Sequence, residues 1–163
     1  MKTLSLQAPS YDGFDGGAGS RYQAKREIKS FWYPTWLAQP AALVPNSRVL
    51  DAPADGLGLE QTLNIAADYD LVIIHTSTPS FPTDARFAEA LKARRPDLLI
   101  GMVGAKAAVD PGGTLGATPA VDFACREEFD YTCQDVAPGK PLSEIAGLSY
   151  RSPDGSIEHN PAR

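Results

Sequence analysis

The chain has 163 residues, of which 43% are hydrophobic and 21% are charged, and its formal net charge is −5. This balance is typical of one globular domain, and the negative charge argues against a nucleic-acid partner, because phosphate binding needs a basic face. Two cysteines are too few for a disulfide scaffold and their spacing fits no zinc motif. The chain also lacks an apolar run of transmembrane length and the apolar region of a signal peptide. We therefore expect a cytoplasmic protein with no membrane span and no metal site.

Short apolar runs alternate with segments of helical periodicity. A strand at 2–7 is followed by a glycine-rich segment without periodicity, and then by a helix from about residue 34 to 44, which Pro40 is expected to kink or interrupt. The next strands are expected at 48–52, 70–76, 98–103 and 121–124. Further helices are expected at 57–67, 83–95 and 127–136, and residues 110–119 are expected to form a loop or a weak helix.

This alternation predicts an α/β fold, namely a doubly wound, flavodoxin-like (Rossmann-like) parallel five-stranded sheet of strand order 2-1-3-4-5. The apolar run 71–74 suits a strand that is covered on both faces. The tail differs, because two strand-like runs flank Pro153, Asp154 and Gly155, which predicts a C-terminal β-hairpin. We expect residues 1–146 to form one ligand-binding domain and 147–163 to form the hairpin and the start of a linker.

In such sheets ligands bind at the carboxyl ends of the strands, where the winding direction reverses. Thr76, Ser77 and Thr78 directly follow the third strand and are small hydroxyl residues that suit a nucleotide or a phosphate, although they equally suit a turn or a helix cap. His75 is expected to be a rim histidine rather than a ligand. Glu127 and Glu128 would point about 100° apart on a helix, so no acid–base dyad is expected. The residues predict a binding domain without catalytic residues of its own.

The order of features along the chain resembles the N-terminal cobalamin-binding domain of cobalamin-dependent radical S-adenosylmethionine (SAM) enzymes. Residues 13–23 and 31–37 are similar to the member of this class that acts in hopanoid biosynthesis. The other matching pieces are residues 8–10, Asp51, residues 70–78, the Val103-Gly104 turn, Glu127-Glu128, and the run 145–151 with Asp154-Gly155.

The resemblance implies a domain that binds the nucleotide tail of cobalamin at the carboxyl ends of the strands, in a radical SAM enzyme of hopanoid lipid biosynthesis. It implies a [4Fe-4S] cluster and S-adenosylmethionine in the parent protein, with the radical SAM barrel of the same polypeptide as partner. This chain lacks the C-x-x-x-C-x-x-C motif of that barrel, so we expect it to be the front part of such a protein. The implied cofactor-binding residues are Ser10, Thr76, Ser77, Thr78, Val103, Gly104, Ala105, Arg126 and Glu128.

The loop after the first strand lacks the Asp-x-His-x-x-Gly motif through which other cobalamin domains place a histidine on cobalt, so the resemblance implies no axial histidine here. The family often has Gly-Gly-Pro-His after strand four and Gly-Glu-Gly-Glu after strand five, whereas this chain has residues 103–106 and 125–128 of different sequence. Two alternatives stay open. One is a flavodoxin-like domain that binds flavin mononucleotide (FMN), and the other is a non-catalytic interaction domain with a vestigial pocket.

Overall fold

The computed structural model describes residues 1–9 and 34–163. Ser10, the glycine-rich segment and the first three residues of the 31–37 aromatic stretch lie outside the described residues. The strands are β1 (Thr3–Gln7), β2 (Ser47–Asp51), β3 (Leu71–His75), β4 (Leu99–Val103), β5 (Phe123–Cys125), β6 (Leu148–Arg151) and β7 (Ile157–His159). The helices are α1 (Thr35–Leu43), α2 (Leu59–Ala66), α3 (Phe81–Arg94), α4 (Ala105–Val109), α5 (Pro111–Ala117) and α6 (Asp130–Val136), with a 3-10 turn at Leu142–Glu144.

All seven strands belong to one sheet of order β2-β1-β3-β4-β5-β6-β7. The first five strands are parallel, which confirms the predicted order 2-1-3-4-5. The predicted C-terminal hairpin forms from β6 and β7. It extends the same sheet, because β6 pairs antiparallel with β5 and β7 pairs antiparallel with β6. The fold is therefore the doubly wound α/β sheet that the alternation predicts, widened by two antiparallel strands.

Helices cover both faces of this sheet. Alternate residues of β3 divide between two apolar clusters: Val72 and Ile74 pack in one with residues of α2, α3 and α5, whereas Leu71 and Ile73 pack in the other with residues of α1 and α6. Successive side chains of a strand point to opposite faces, so a strand buried on both faces is apolar at every position. Each such buried side chain contributes about 1.5–3 kcal/mol to the free energy of unfolding.

Two helices contain residues that disfavour helix. Helix α1 runs through the buried Pro40, so of the two expected effects of this proline the interruption does not occur. Residues 110–119 contain a regular helix, α5, despite three glycines. The Asp110 carboxylate accepts a hydrogen bond from the Gly113 N–H at 2.9 Å, and Pro111 occupies the first turn, so an N-cap and a proline offset the poor helix propensity.

The fifth strand and the helix after it both begin later than the sequence predicts. Strand β5 starts at Phe123 and α6 starts at Asp130, against expected starts at 121 and 127. Glu127 has a φ of 52°, in the left-handed region that helices of L-residues avoid, and this holds the segment after β5 in a loop. Among the described residues, no helix is both long enough and apolar enough to cross a membrane.

Candidate functional site

The carboxyl ends of the parallel strands form the candidate site. Gln7, His75, Val103 and Cys125 end β1, β3, β4 and β5, which are neighbours in that order. The chain leaves β1 for β2 on one side, whereas β3 continues to β4 and β5 on the other. The winding direction therefore reverses between β1 and β3, which is the position where open α/β sheets bind their ligands.

His75 is held in a buried group on the α1 side of this end. Its Nδ1 lies 3.0 Å from Oε1 of Gln7, and its ring packs against Trp36 of α1 with the ring centroids 5.3 Å apart. The His75 side chain is only 6% exposed. The residue therefore joins β1, β3 and α1 at the rim of the sheet, as expected for a rim histidine.

Gly104 brings the backbone of the loop after β4 against the end of β3. Its φ is 101°, and a Cβ added there would lie 2.5 Å from the carbonyl oxygen of Thr76 and 2.8 Å from the His75 ring. Any side chain would clash with main-chain atoms, so only glycine fits at this position. The N–H of Thr76 also donates to the carbonyl oxygen of Val103 at 2.8 Å, which fixes the two loops to each other.

Four buried polar residues, which we call the hydroxyl cluster, lie between the end of β3 and the first turns of α3: Thr76, Ser77, Ser80 and Asp84. The hydroxyl oxygens of Ser77 and Ser80 are 2.9 Å apart, and the Ser77 N–H donates to the Ser80 hydroxyl at 3.0 Å. The carbonyl oxygen of Ser77 lies 3.5 and 3.4 Å from the hydroxyl oxygens of Thr76 and Ser80. This network fixes the conformation of the loop after β3.

Asp84 is the acidic member of the hydroxyl cluster, and its side chain is inside the protein although α3 begins only three residues earlier. Burial raises the pKa of its carboxyl group from 3.8 to about 7, and hydrogen bonds from the hydroxyls of Thr76 and Ser80 oppose this rise. A carboxyl group of this kind changes its charge near neutral pH.

The predicted site residues after β3 and β4 occupy two levels. Thr78 and Ala105 are exposed at the rim, Gly104 is half-buried, and Ser77 is 7% exposed. Thr76 and Val103 have no exposed surface; the Val103 side chain packs in the core cluster that faces α1 and α6. Of the predicted site residues in these two loops, those with exposed surface are therefore Ser77, Thr78, Gly104 and Ala105.

The predicted site residues after β5 are placed differently. Arg126 donates hydrogen bonds to the carbonyl oxygens of Asn160 and Pro161, the latter at 3.4 Å, so its guanidinium group faces the C-terminal segment. Glu128 is exposed. Burial raises the pKa of the Asp130 carboxyl group, and the nearby charge of Glu128 raises it further. Ser10 lies outside the described residues. The structure thus brings together the predicted residues of the loops after β3 and β4.

Sequence reasoning did not identify Ser80 or Asp84 as members of the site. The two serines at 77 and 80 are one helical turn apart, and this spacing is the signal that links them. Asp84 looked like an ordinary acidic residue near a helix N-terminus. Only the packing of α3 on the sheet shows that its side chain turns inward.

No nucleophile or metal ligand set is apparent in the described part of the chain. No group of three histidine, cysteine or acidic side chains in residues 1–9 and 34–163 is arranged to hold a metal ion. Cys125 and Cys133 are both buried free thiols. The pKa of Cys125 is raised above its usual value, mainly by its contact with Cys133 and also by burial. Such a thiol stays protonated and is a poor nucleophile.

A second concavity lies at the opposite end of the sheet. It has a volume of about 470 Å³ and lies between the last turns of α3 and the segment before β5. Its lining residues are Glu89, Lys92, Ala93, Thr118, Pro119 and Ala120. The amino ends of parallel strands are not where this class of sheet binds its ligands, so the carboxyl end remains the candidate site.

The strand order and the helices on both faces of the sheet define a Rossmann-like α/β domain. Its fold matches solved structures of the cobalamin-dependent S-adenosylmethionine radical enzyme OxsB. The structure with aqua-cobalamin and S-adenosylmethionine bound has a TM-score of 0.70 and 15% identity, over 99% of this chain and 22% of that one. The structure with aqua-cobalamin bound has a TM-score of 0.70 and 14% identity, with the same coverage.

The apo, selenomethionine-labelled structure of OxsB has a TM-score of 0.64 and 17% identity, over 78% of this chain and 19% of that one. The present chain therefore spans about a fifth of the length of these structures. No protein-family model and no curated protein sequence matches the chain. At this level of identity the similarity shows a shared fold.

Proposed function

We propose that this chain is a cobalamin-binding domain and that the nucleotide tail of cobalamin lies between the loops after β3 and β4. The observation that carries the proposal is the close packing of Gly104 on the end of β3, because it brings the exposed residues of the two loops side by side where the winding direction of the sheet reverses. The likeness in fold to OxsB structures that contain aqua-cobalamin supports the choice of ligand.

Each exposed residue of the two loops has a role in this proposal. The hydroxyls of Ser77 and Thr78 would hydrogen-bond the tail, and the backbone of Gly104 and Ala105 would lie beside it. Arg126 and Glu128, after β5, would contact the outer part of the ligand, and Ser10 would contact it from the loop after β1. When bound, cobalamin supplies a cobalt centre that exchanges axial ligands and electrons. The residues of this chain bind and orient it.

We propose further that no histidine of this chain binds the cobalt. The Nδ1 of His75 faces Gln7, its ring packs on Trp36, and the Nε2–Cδ2 edge lies against Gly104. This position suits a residue that holds the rim together rather than a metal ligand.

The finer proposal concerns the parent protein. We propose that the parent protein binds S-adenosylmethionine and a [4Fe-4S] cluster in a radical SAM barrel of the same polypeptide. The similarity of residues 13–23 and 31–37 to the hopanoid-biosynthesis member supports a hopanoid lipid as its substrate. The codons that follow Arg163 in the parent gene test the first part. An iron–sulfur cysteine triplet there supports it, and an unrelated sequence overturns it.

Titration with hydroxocobalamin, followed by the visible absorption spectrum and by calorimetry, tests the binding proposal. We expect saturable binding that Thr78→Ala weakens and that Asp68→Asn, an exposed change before the amino end of β3, leaves unaltered. The same calorimetry with FMN tests the flavodoxin-like alternative, which predicts that the chain binds FMN. If the chain binds neither ligand, the result supports the alternative of a non-catalytic interaction domain. The spectrum of the bound state should be the same for His75→Ala. A change in axial ligation would overturn the proposal about histidine.

A further inference from the structure

The hydroxyl cluster contains one atom that the proposed function does not use. Asp84 is 2% exposed, and its Oδ2 has no hydrogen-bond partner within the described part of the chain. The same carboxyl group contacts the hydroxyls of Thr76 and Ser80. A buried carboxyl group with an unsatisfied oxygen costs free energy, so such a group needs an explanation other than stability.

The hydrogen bonds of the hydroxyl cluster can run in either of two directions. In both cases the Ser80 hydroxyl oxygen accepts a hydrogen bond from the N–H of Ser77. The Ser80 hydroxyl can then accept one more hydrogen bond and donate one. When Asp84 is ionised, it can only accept. The Ser80 hydroxyl then donates to Asp84, and the Ser77 hydroxyl donates to Ser80 across their 2.9 Å separation. Ser77 consequently presents a lone pair to the crevice.

The direction reverses when Asp84 carries a proton. Its O–H donates to the Ser80 oxygen, and the Ser80 hydroxyl then donates to the oxygen of Ser77. The Ser77 proton becomes free to point into the crevice. Both arrangements satisfy Ser80 completely, so the protonation of one buried acid selects whether Ser77 accepts or donates.

We propose that Asp84 is a positioning residue that controls ligand binding through Ser77: its protonated form turns the Ser77 hydroxyl into a donor for an anionic or carbonyl-bearing ligand tail, and its ionised form withdraws that donor. The inference rests on the proposed function, since a cobalamin tail carries phosphate and amide oxygens that accept hydrogen bonds. Binding of such a tail would therefore be accompanied by proton uptake at neutral pH.

Burial and the hydroxyls of Thr76 and Ser80 determine the pKa of Asp84. The charged and titratable groups on neighbouring elements are Arg86 on α3, His75 on β3, Glu60 on α2 and Lys106 on α4. Glu60 is paired with Arg94 and Lys106 with Asp110. None of these charges contributes to the raised pKa of Asp84, which is about 7.

Calorimetric titration of the full chain with hydroxocobalamin between about pH 6 and pH 8 tests the inference. If only the protonated form binds, the affinity of the wild-type chain should fall about tenfold over this range, in proportion to the protonated fraction. Asp84→Asn keeps a donor at this position at every pH. The ratio of wild-type to variant affinity isolates the effect, because any titration of the ligand itself is common to both. Asp68→Asn, at an exposed site, should retain the wild-type pH dependence.

Ser77→Ala supplies an independent measurement. It should abolish the pH dependence of the affinity while the Asp84 carboxyl still titrates near neutral pH by ¹³C NMR. A wild-type affinity that does not change relative to Asp84→Asn, or an Asp84 that titrates below about pH 5, overturns the inference and leaves the proposed function intact. Absence of hydroxocobalamin binding at every pH overturns the proposed function, and the inference with it.

Discussion

The backbone of Gly104 lies against the imidazole ring of His75, with the position of a Cβ on Gly104 only 2.8 Å from the Cδ2 and the Nε2 of that ring. This contact joins the loop after β4 to the end of β3. We expect Gly104→Ala to lower the free energy of unfolding by roughly 2–4 kcal/mol, because it adds left-handed strain and overpacking at once. It should also weaken hydroxocobalamin binding by about tenfold or more. Urea denaturation and calorimetry measure the two effects.

Gly112→Ala is the matched control for this substitution. Gly112 lies in α5, its φ is outside the left-handed region, and an added Cβ would meet no atom within 4 Å. Alanine is the better helix former, so we expect a gain of up to about 1 kcal/mol in the free energy of unfolding and unaltered binding. An equal loss in both variants would mean that the contact with His75 has no special role.

The buried carboxyl of Asp84 makes stability depend on pH. Its pKa in the folded chain, about 7, exceeds the usual 3.8, so between these values the folded chain binds more protons than the unfolded chain. Stability therefore falls as pH rises from about 4 to about 7, by roughly 3–4 kcal/mol at most. Asp84→Asn should be more stable than the wild type at about pH 8 by about 2–4 kcal/mol, and equal to it near pH 4. Urea denaturation at both pH values decides this, and a constant difference contradicts it.

A half-buried ion pair joins the amino ends of β4 and β5. The Lys92 ammonium lies 2.7 and 3.0 Å from the two oxygens of Asp122 and donates to the Leu98 carbonyl, while Asp122 also accepts the Ile100 N–H at 2.7 Å. Asp122→Ala leaves a charge and an N–H without their partner, so we expect a loss of about 2–3 kcal/mol in thermal or urea denaturation.

Asp97→Ala is the comparison for that loss. The pair of Arg95 with Asp97 is more exposed, and solvent screens such a pair, so we expect a much smaller loss. Similar losses for Asp122→Ala and Asp97→Ala would show that the network around Lys92 adds nothing beyond an ordinary surface pair.

Arg126 holds the C-terminal segment through the carbonyls of Asn160 and Pro161, and Asn160 in turn donates from its side chain to the carbonyls of Leu142 and Ile145. We expect Arg126→Ala to raise amide hydrogen exchange at residues 157–163 by about tenfold. Hydrogen exchange followed by mass spectrometry measures this. Unaltered exchange together with weaker hydroxocobalamin binding would instead assign the guanidinium group to the ligand.

The sequence predicts the sheet well because its signals are local. The apolar run of β3 and the alternation of strands with helices predict a parallel, doubly wound sheet without any knowledge of distant contacts, and 2-1-3-4-5 is one of the two common strand orders of such sheets. Helix α5 was harder, because Gly112, Gly113 and Gly116 argue against a helix. The signal that outweighs them is Asp110 followed by Pro111, an N-cap and a first-turn proline.

The site was predicted in outline only. The loops after β3 and β4 were identified from their position, but which of their residues face outward depends on how deep each one lies. Thr76 and Thr78 have the same chemistry, yet one is buried and the other exposed. The inward turn of Asp84 depends on how α3 packs against the sheet, and a sequence pattern of polar residues does not encode that rotation.

The hairpin of β6 and β7 has a consequence for chain direction. Strand β6 runs against β5, away from the candidate site, and β7 runs back towards it. Residues 160–163 therefore emerge beside the loop that contains Arg126, at the end of the sheet where β1, β3 and β4 finish. One added strand would have delivered them to the far end. Because the hairpin adds two strands, β7 runs in the same direction as β5. The last residues of the sequence and the proposed ligand therefore lie at the same end of the sheet.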